Sequence, residues 1–206
     1  MNFDLLTEAL PESVRIHGKE YPIQCDFRIG IKLDGILRSE LEDQEKIKRM
    51  LVLYFKDNIP PDIPAAIDKI IWFYRCGEVL DNEDEEKKKR RYIRRRSKDP
   101  ACVLTQDAPY VYAAFMDQYG IDLTSATFMH WWKFMALFES LGDETKMSKI
   151  MYYRQASTSG MSKERRAFLN EMKKIYRIKN TGQKKLTLQQ RNQRWKDYVK
   201  ERYTRG

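Results

Sequence analysis

The stretch that decides the fold is FMHWWKFMALFESLGDETKMSKIMYYR, residues 128–154. Its first half, Phe128 to Leu141, contains no Gly or Pro. If this half is a helix, apolar residues cover almost its whole circumference, and such a helix must be buried. Its few polar side chains would form a narrow surface stripe: His130, Lys133, Glu139 and Ser140. The sequence therefore predicts a core helix with His130 at its surface.

Local signals set the predicted ends of this helix and begin a second one. Thr124 or Ser125 can cap its start, and Gly142 is typical of the position just past a helix end. Asp143 can then cap the second helix. Three apolar residues would form the inward face of that helix: Met147, Ile150 and Met151. Two helices that pack against each other follow from this pattern.

The adjacent residues Trp131 and Trp132 have two interpretations. Helical aromatic stripes usually bury a large area in a core, and we prefer this interpretation. Alternatively, one indole faces a groove that accepts a partner helix, because adjacent residues point about 100° apart on a helix. Methionines in the same half of the chain would add adaptable apolar surface. The candidate partner-binding residues are therefore Trp131, Trp132, Met135, Phe138, Met147 and Met151.

Three segments of the chain together resemble one protein family. They are FMHWWKFMALFESL, KIMYYR and RRAFLNEMKKIY, at residues 128–141, 149–154 and 165–176. Over most of its length the chain is similar to the bacteriophage gene-product-fifteen family. The resemblance is strongest from Thr127 to Tyr176, and it is weaker in the charged segment and in the tail after Arg177.

The resemblance implies a biological role, but it implies no chemical reaction. Members of this family are encoded in the tail modules of phages of Gram-positive bacteria, just before the tape measure protein. The implied role is a non-enzymatic tail assembly chaperone that binds apolar helical stretches of the tape measure protein, with a second copy or a frameshift-related chaperone as further partners. Two alternatives stay open: a nucleic-acid-binding protein and a structural subunit of the finished tail.

Composition predicts a globular chain with a real core. It has 206 residues, a mass of 24.7 kDa and 42% hydrophobic residues, which is enough for one domain or two small ones. Cys25, Cys76 and Cys102 lack metal-ligand spacing and are expected to be reduced core thiols. The start resembles no signal peptide, and no apolar run approaches membrane-spanning length. We expect a soluble protein in the cytoplasm of the bacterial host, without a membrane partner.

The net charge of +9 is unevenly distributed. Residues 161–206 carry a net +11, so residues 1–160 sum to −2. Four acidic residues, 83–86, precede a candidate basic patch. The patch consists of Lys87, Lys88, Lys89, Arg90, Arg91, Arg94, Arg95 and Arg96. A solvated linker is preferred over a nucleic-acid-binding patch, because no aromatic stacking platform or known DNA-binding module accompanies the charges.

The N-terminal region predicts a β-hairpin and three helices. Alternation around Gly18 indicates a hairpin whose type II′ turn has Gly at the first central position. Asp26, Asp43 and Asp62 are candidate caps of the three helices, and Gly77 ends the third. The inward residues of the first helix would be Ile29, Leu33, Ile36 and Leu37.

The rest of the sequence predicts further helices and a division of the chain into two helical units. Asp107 begins a helix that Gly120 terminates, and another runs from Ser162 to Arg177. We expect a mainly α protein with a short N-terminal β-hairpin and two small helical units joined by a charged segment. The predicted ranges are residues 1–77, 78–99 for the linker, 100–178, and a basic, partly helical tail at 179–206.

No catalytic constellation emerges from the residues. The two histidines, His17 and His130, lie in no metal or nucleophile motif, and the nine glycines form no phosphate-binding loop. The carboxylate pairs of the charged segment lack the burial that would shift their pKa. We therefore expect no enzymatic activity, no metal and no cofactor.

Limited trypsin digestion of the native protein should cut first between Asp81 and Lys98. This segment offers many Lys and Arg residues and almost nothing to bury. Mass spectrometry of the first fragments checks the prediction, and a first cut elsewhere, with this segment resistant, would show it to be an ordered helix.

Overall fold

The computed structural model describes residues 5–78 and 100–179. Within these ranges a two-stranded sheet precedes seven helices, so the mainly α class with an N-terminal hairpin is confirmed. The strands are β1 (Ser13–Ile16) and β2 (Lys19–Pro22). The helices are α1 (Phe27–Arg38), α2 (Asp43–Phe55), α3 (Ile63–Tyr74), α4 (Ala108–Tyr119), α5 (Trp131–Glu139), α6 (Lys146–Gln155) and α7 (Lys163–Ile175).

The hairpin has a different turn from the predicted one. Ile16 pairs with Lys19, so His17 and Gly18 are the two central residues, and both have positive φ (48° and 79°). Two positive φ values define a type I′ turn, with Gly at the second central position. The predicted type II′ turn is therefore wrong. His17 Nε2 lies 2.7 Å from Asp62 Oδ2, which ties the hairpin tip to the start of α3.

Helix caps in the first half follow the sequence closely. Asp26 accepts a hydrogen bond from the Arg28 amide at 2.9 Å, and Asp62 accepts one from the Ala65 amide at 3.0 Å. Each carboxylate satisfies an amide that has no partner within its helix. Both caps are confirmed. In contrast, α2 begins one residue earlier than predicted, with Glu42 at the N-cap position and no side-chain cap.

The tryptophan helix is shorter than predicted at both ends. It begins at Trp131 with His130 as its N-cap, and its C-cap is Ser140, so Gly142 is not the residue just past its end. The backbone before it is extended because it pairs with the segment before α1. The Phe27 amide donates to the Met129 carbonyl at 2.8 Å, and the Trp131 amide donates to the Cys25 carbonyl at 2.7 Å. This long-range bridge overrides the local helical pattern, and Phe128 is left 55% exposed.

Three further ends can be compared with their predicted caps. Thr145, not Asp143, caps α6, since its hydroxyl accepts from the Ser148 amide at 3.2 Å. Gly120 is the C-cap of α4 with a φ of 63°, as expected for a left-handed residue. Ser162 caps α7, which runs from Lys163 to Ile175 within the predicted range of 162–177.

Residues on both sides of the charged segment contribute to one hydrophobic core. Leu33, Tyr54 and Phe73 from the first part and Phe115, Phe134 and Met147 from the second part are each at most 1% exposed. The two predicted helical units therefore share a core in the described residues. The predicted boundary near residue 90, the linker and nearly all of the basic tail lie outside these residues.

Gly30→Ala should destabilise the protein by about 1–3 kcal/mol, because an added Cβ would overlap the ring of Trp131, and both the ring and the backbone are enclosed by the core. Gly35→Ala on the same helix is the matched control, since its Cβ would meet only Thr105 Cγ2 at 3.5 Å. The control should gain about 0.5–1 kcal/mol from lower backbone entropy in the unfolded chain. Urea unfolding of both variants checks the prediction, and equal midpoints would contradict it.

Candidate functional site

The two tryptophans join the C-terminal end of α3 to the start of α5. Trp131 Nε1 donates to the Tyr74 carbonyl at 2.9 Å, and Trp132 Nε1 donates to the Phe73 carbonyl at 2.7 Å. Carbonyls in the last turn of a helix have no partner within the helix, so the two indoles satisfy them. Both side chains are 1% exposed. Both tryptophans are therefore core residues, as the preferred interpretation expects.

His130 connects the start of α5 to the segment before β1. Its side chain is buried, its Nδ1 accepts from the Trp132 amide at 3.1 Å, and its Nε2 lies 3.1 Å from the Pro11 carbonyl. A carbonyl can only accept, so Nε2 carries the proton and the ring is neutral. Burial lowers the pKa of His130 below its usual 6.5, outweighing the opposite effects of the Pro11 carbonyl and Glu12. The predicted surface position of His130 is wrong, because the ring serves as a buried helix cap.

A cavity of about 270 Å³ between α1, α3 and α5 collects part of the predicted partner-binding set. Trp131, Met135 and Phe138 line it, whereas Trp132 and Met147 are buried elsewhere and Met151 is half-buried. The structure therefore brings three of the six residues together and separates the others. A partner-binding role for any of the six stays a prediction.

Three polar side chains of this cavity, Asp34, Arg38 and Tyr74, are paired with one another. Asp34 is buried, and its carboxylate accepts from Arg38 Nε at 2.9 Å and from the Tyr74 hydroxyl at 3.0 Å. Burial raises the pKa of both Cys76 and Cys102 to about 12, helped by nearby carboxylates. Both thiols are therefore protonated at neutral pH, and the cavity offers no activated nucleophile.

A buried ion pair fixes the start of α4. Arg154 donates to both carboxylate oxygens of Asp107 at 2.6 and 2.8 Å, and also to the carbonyls of Ala101 and Tyr176. Burial acts to raise the pKa of Asp107, but the bonds from Arg154 and from the Val103 amide outweigh it and hold the pKa low. Asp107 is the N-cap residue of α4, so the predicted start of this helix is confirmed, but its carboxylate binds Arg154 and the Val103 amide instead of an amide of α4.

An apolar groove of about 350 Å³ lies between α1, α4 and the loop after α4, and we call it the α1–α4 groove. Its main lining residues are Phe27, Ile31, Leu104, Pro109, Tyr112 and Leu123. Arg28 Nη2 fixes the loop by donating to the carbonyls of Leu123 and Ala126 at 3.2 and 2.6 Å. The groove is therefore an apolar surface with fixed walls, which makes it the candidate functional site.

Sequence reasoning did not identify this groove. The predicted inward face of the first helix used Leu33 and its neighbours, and Phe27 and Ile31 were left unassigned. These two residues are four apart on α1 and form a second apolar stripe beside the first. That second stripe is the signal that would have pointed to the groove.

The other sequence-based candidates have no counterpart in the described residues. The basic patch from Lys87 to Arg96 lies outside them. Among residues 5–78 and 100–179, no group of three or more His, Cys, Asp or Glu side chains is arranged to hold a metal ion. No helix in the same ranges is long and apolar enough to cross a membrane.

Comparison with known proteins gives the family. The family model described as bacteriophage Gp15 protein matches residues 6–178. The chain belongs to this family. The match spans both strands, all seven described helices and the α1–α4 groove, so this Gp15-family chain is a phage structural or assembly protein. No curated protein and no solved structure matches it.

The free energy of unfolding should fall as the pH drops below about 6.5, because the folded pKa of His130 is lowered and the unfolded chain takes up the proton first. The loss from this one group is at most about 1.4 kcal/mol per pH unit. In His130→Asn, whose side chain can cap without titrating, that part of the slope should disappear. Urea unfolding of both proteins between pH 7.5 and 5.5 measures it, and parallel curves would contradict the role assigned to His130.

Proposed function

We propose that this protein is a non-enzymatic phage tail assembly chaperone that acts in the cytoplasm of the bacterial host. Its client is the tape measure protein, and the client's apolar helical stretches bind in the α1–α4 groove. Membership of the Gp15 family supports an assembly role. The apolar groove is the observation that carries the binding mechanism.

The chemistry of the groove fits an apolar helix. Its lining is apolar apart from Thr124 and the Tyr112 hydroxyl, so a polar or charged segment would lose hydration there without compensation. Amphipathic helices bind such grooves through residues spaced three and four apart. A client that exposes apolar stripes before assembly would otherwise aggregate, and covering them reversibly is what a chaperone requires.

The walls of the groove are prepared before any client arrives. Arg28 holds the loop that carries Leu123, and the Asp107–Arg154 pair holds the start of α4. A site with fixed walls loses little conformational entropy on binding. This rigidity supports a preformed docking site over one that must fold around its client.

A pull-down with helical fragments of the tape measure protein from the same phage tests the proposal. Ile31→Glu places a charge in the groove and should weaken binding by at least about tenfold, because an unpaired carboxylate is costly on an apolar surface. Val52→Glu is the matched control, since Val52 is 51% exposed on α2 and lies outside the groove. The control should bind like the natural protein.

Salt dependence distinguishes apolar binding in the groove from electrostatic binding through the basic segments. Apolar binding should survive 1 M salt, whereas contacts made by the basic segments would be screened as the Debye length falls to about 3 Å. Binding seen only at low salt, and lost on deletion of residues 180–206, would contradict the groove mechanism. Detection of the protein in purified virions would instead favour a structural subunit of the finished tail.

A further inference from the structure

The net positive charge of the described residues lies at one end of the fold. Residues 146–179, which contain the packed helices α6 and α7, carry ten Lys and Arg against two acidic residues, a net +8. The other described residues, 5–78 and 100–145, carry twelve basic and nineteen acidic residues, a net −7. A one-sided charge distribution of this kind attracts polyanions to the side that carries the excess. Among the described residues, α6 and α7 are therefore where a polyanion would bind.

Three aromatic rings lie together on these two basic helices. Tyr153 on α6 contacts the rings of Tyr152 and Phe168 edge to face, with centroids 5.9 and 6.0 Å away. Tyr152 and Phe168 are each 49% exposed, whereas Tyr153 between them is half-buried. We call these three residues the α6–α7 aromatic cluster. Two half-open rings on one support can stack on planar groups of a ligand.

A basic side chain precedes each exposed ring by one helical turn. Lys149 lies three residues before Tyr152 on α6, and Arg165 lies three residues before Phe168 on α7. Residues three apart are neighbours on a helix surface. The Lys149 ammonium pairs with Glu144 at 2.8 Å, but both side chains are exposed, so exchanging this partner for another anion costs little. Each ring is thus accompanied by a cation.

The two acidic residues of this region leave one side of the cluster open. Glu164 is engaged at the start of α7, where bonds from its own amide and from the Ser162 hydroxyl lower the pKa of its carboxyl. Glu171 lies three residues after Phe168, and Arg165 lies three before it, so the two charges flank the ring on opposite sides of the helix. An anionic strand would therefore pass on the Arg165 side.

We propose that the α6–α7 aromatic cluster binds single-stranded nucleic acid. Tyr152 and Phe168 stack on unpaired bases, while Lys149 and Arg165 contact the phosphates. Aromatic stacking combined with a positive surface is how proteins hold single strands without reading their sequence. An acidic protein segment would satisfy the charges but offers the rings no planar groups in a row. This activity goes beyond the proposed chaperone function, since the cluster shares no residue with the lining of the α1–α4 groove.

Fluorescence anisotropy of labelled oligothymidylate and oligouridylate, titrated with the full chain, tests the stacking role. Tyr152→Leu with Phe168→Leu should weaken the binding of the preferred strand by at least about fivefold, because leucine keeps an apolar contact with Tyr153 but presents no ring to a base. Phe128→Leu is the matched control, since Phe128 is 55% exposed outside the cluster, and it should bind like the natural protein. Equal affinity of the double variant and the natural protein would overturn the proposal.

Two other polyanions distinguish stacking from attraction by charge. A DNA duplex hides the faces of its bases, and polyglutamate has none, so the variant lacking both rings should bind each of them as the natural protein does. If loss of the rings weakens polyglutamate binding as much as oligothymidylate binding, the surface is a docking site for an acidic protein and the proposal is wrong.

The charges beside the rings have their own signature in the salt dependence. Arg165→Gln should lower the slope of log affinity against log salt by about 0.7, the value for one lost phosphate contact on a single strand. Lys133→Gln removes an exposed charge from α5 and should leave the slope unchanged. Glu171→Gln removes the repelling carboxylate and should tighten binding by roughly two- to fivefold. Equal slopes for Arg165→Gln and Lys133→Gln would overturn the assigned phosphate contact.

Failure of this proposal and failure of the chaperone proposal are separate results. The titrations contain no client, so they report on the α6–α7 aromatic cluster alone. The variant lacking both rings should still retain tape measure fragments in the pull-down, because the groove is intact. Loss of client binding in this variant would show that the cluster is a protein interface, and it would overturn the assignment to nucleic acid.

Discussion

The fold depends on two neighbouring indole N–H groups that bind two neighbouring carbonyls at the end of α3. These bonds from Trp131 and Trp132 connect parts of the chain almost sixty positions apart. The Trp131 ring fits because Gly30 leaves α1 without a side chain at the contact, and the Trp132 ring lies close to Gly77. The pair therefore joins the residues before the charged segment to those after it, and the common core surrounds this contact.

The buried ion pair between Arg154 and Asp107 also joins distant parts of the chain, because it holds the start of α4 against α6. A guanidinium can bind a carboxylate with two parallel bonds and still donate to two carbonyls, which an ammonium group cannot do in the same plane. Both side chains are less than 10% exposed, so removing either partner would leave a buried charge. This pair positions α4, and with it one wall of the groove.

The sequence predicted the elements whose signals are local, and it missed those set by distant contacts. Asp26 and Asp62 cap their helices because both the cap and its amide are within three residues. His130 was misplaced because its position depends on Pro11 and on the backbone bridge to Cys25 and Phe27, which no local pattern contains. The groove was missed for a related reason: periodicity identifies apolar stripes but not which of them remains uncovered.

The groove and the tryptophan contact are physically coupled through Phe134. Its ring lines the groove and also stacks on Trp131 with centroids 5.6 Å apart, and on Phe27 at 5.1 Å. These three rings are at most 3% exposed, so an occupant of the groove removes from water mainly the partly exposed walls in front of them, such as Ile31, Tyr112 and Leu123. Binding to the folded state alone raises the free energy of unfolding in proportion to the logarithm of occupant concentration over its dissociation constant. A groove occupant therefore also stabilises the contact that holds the two parts of the chain together.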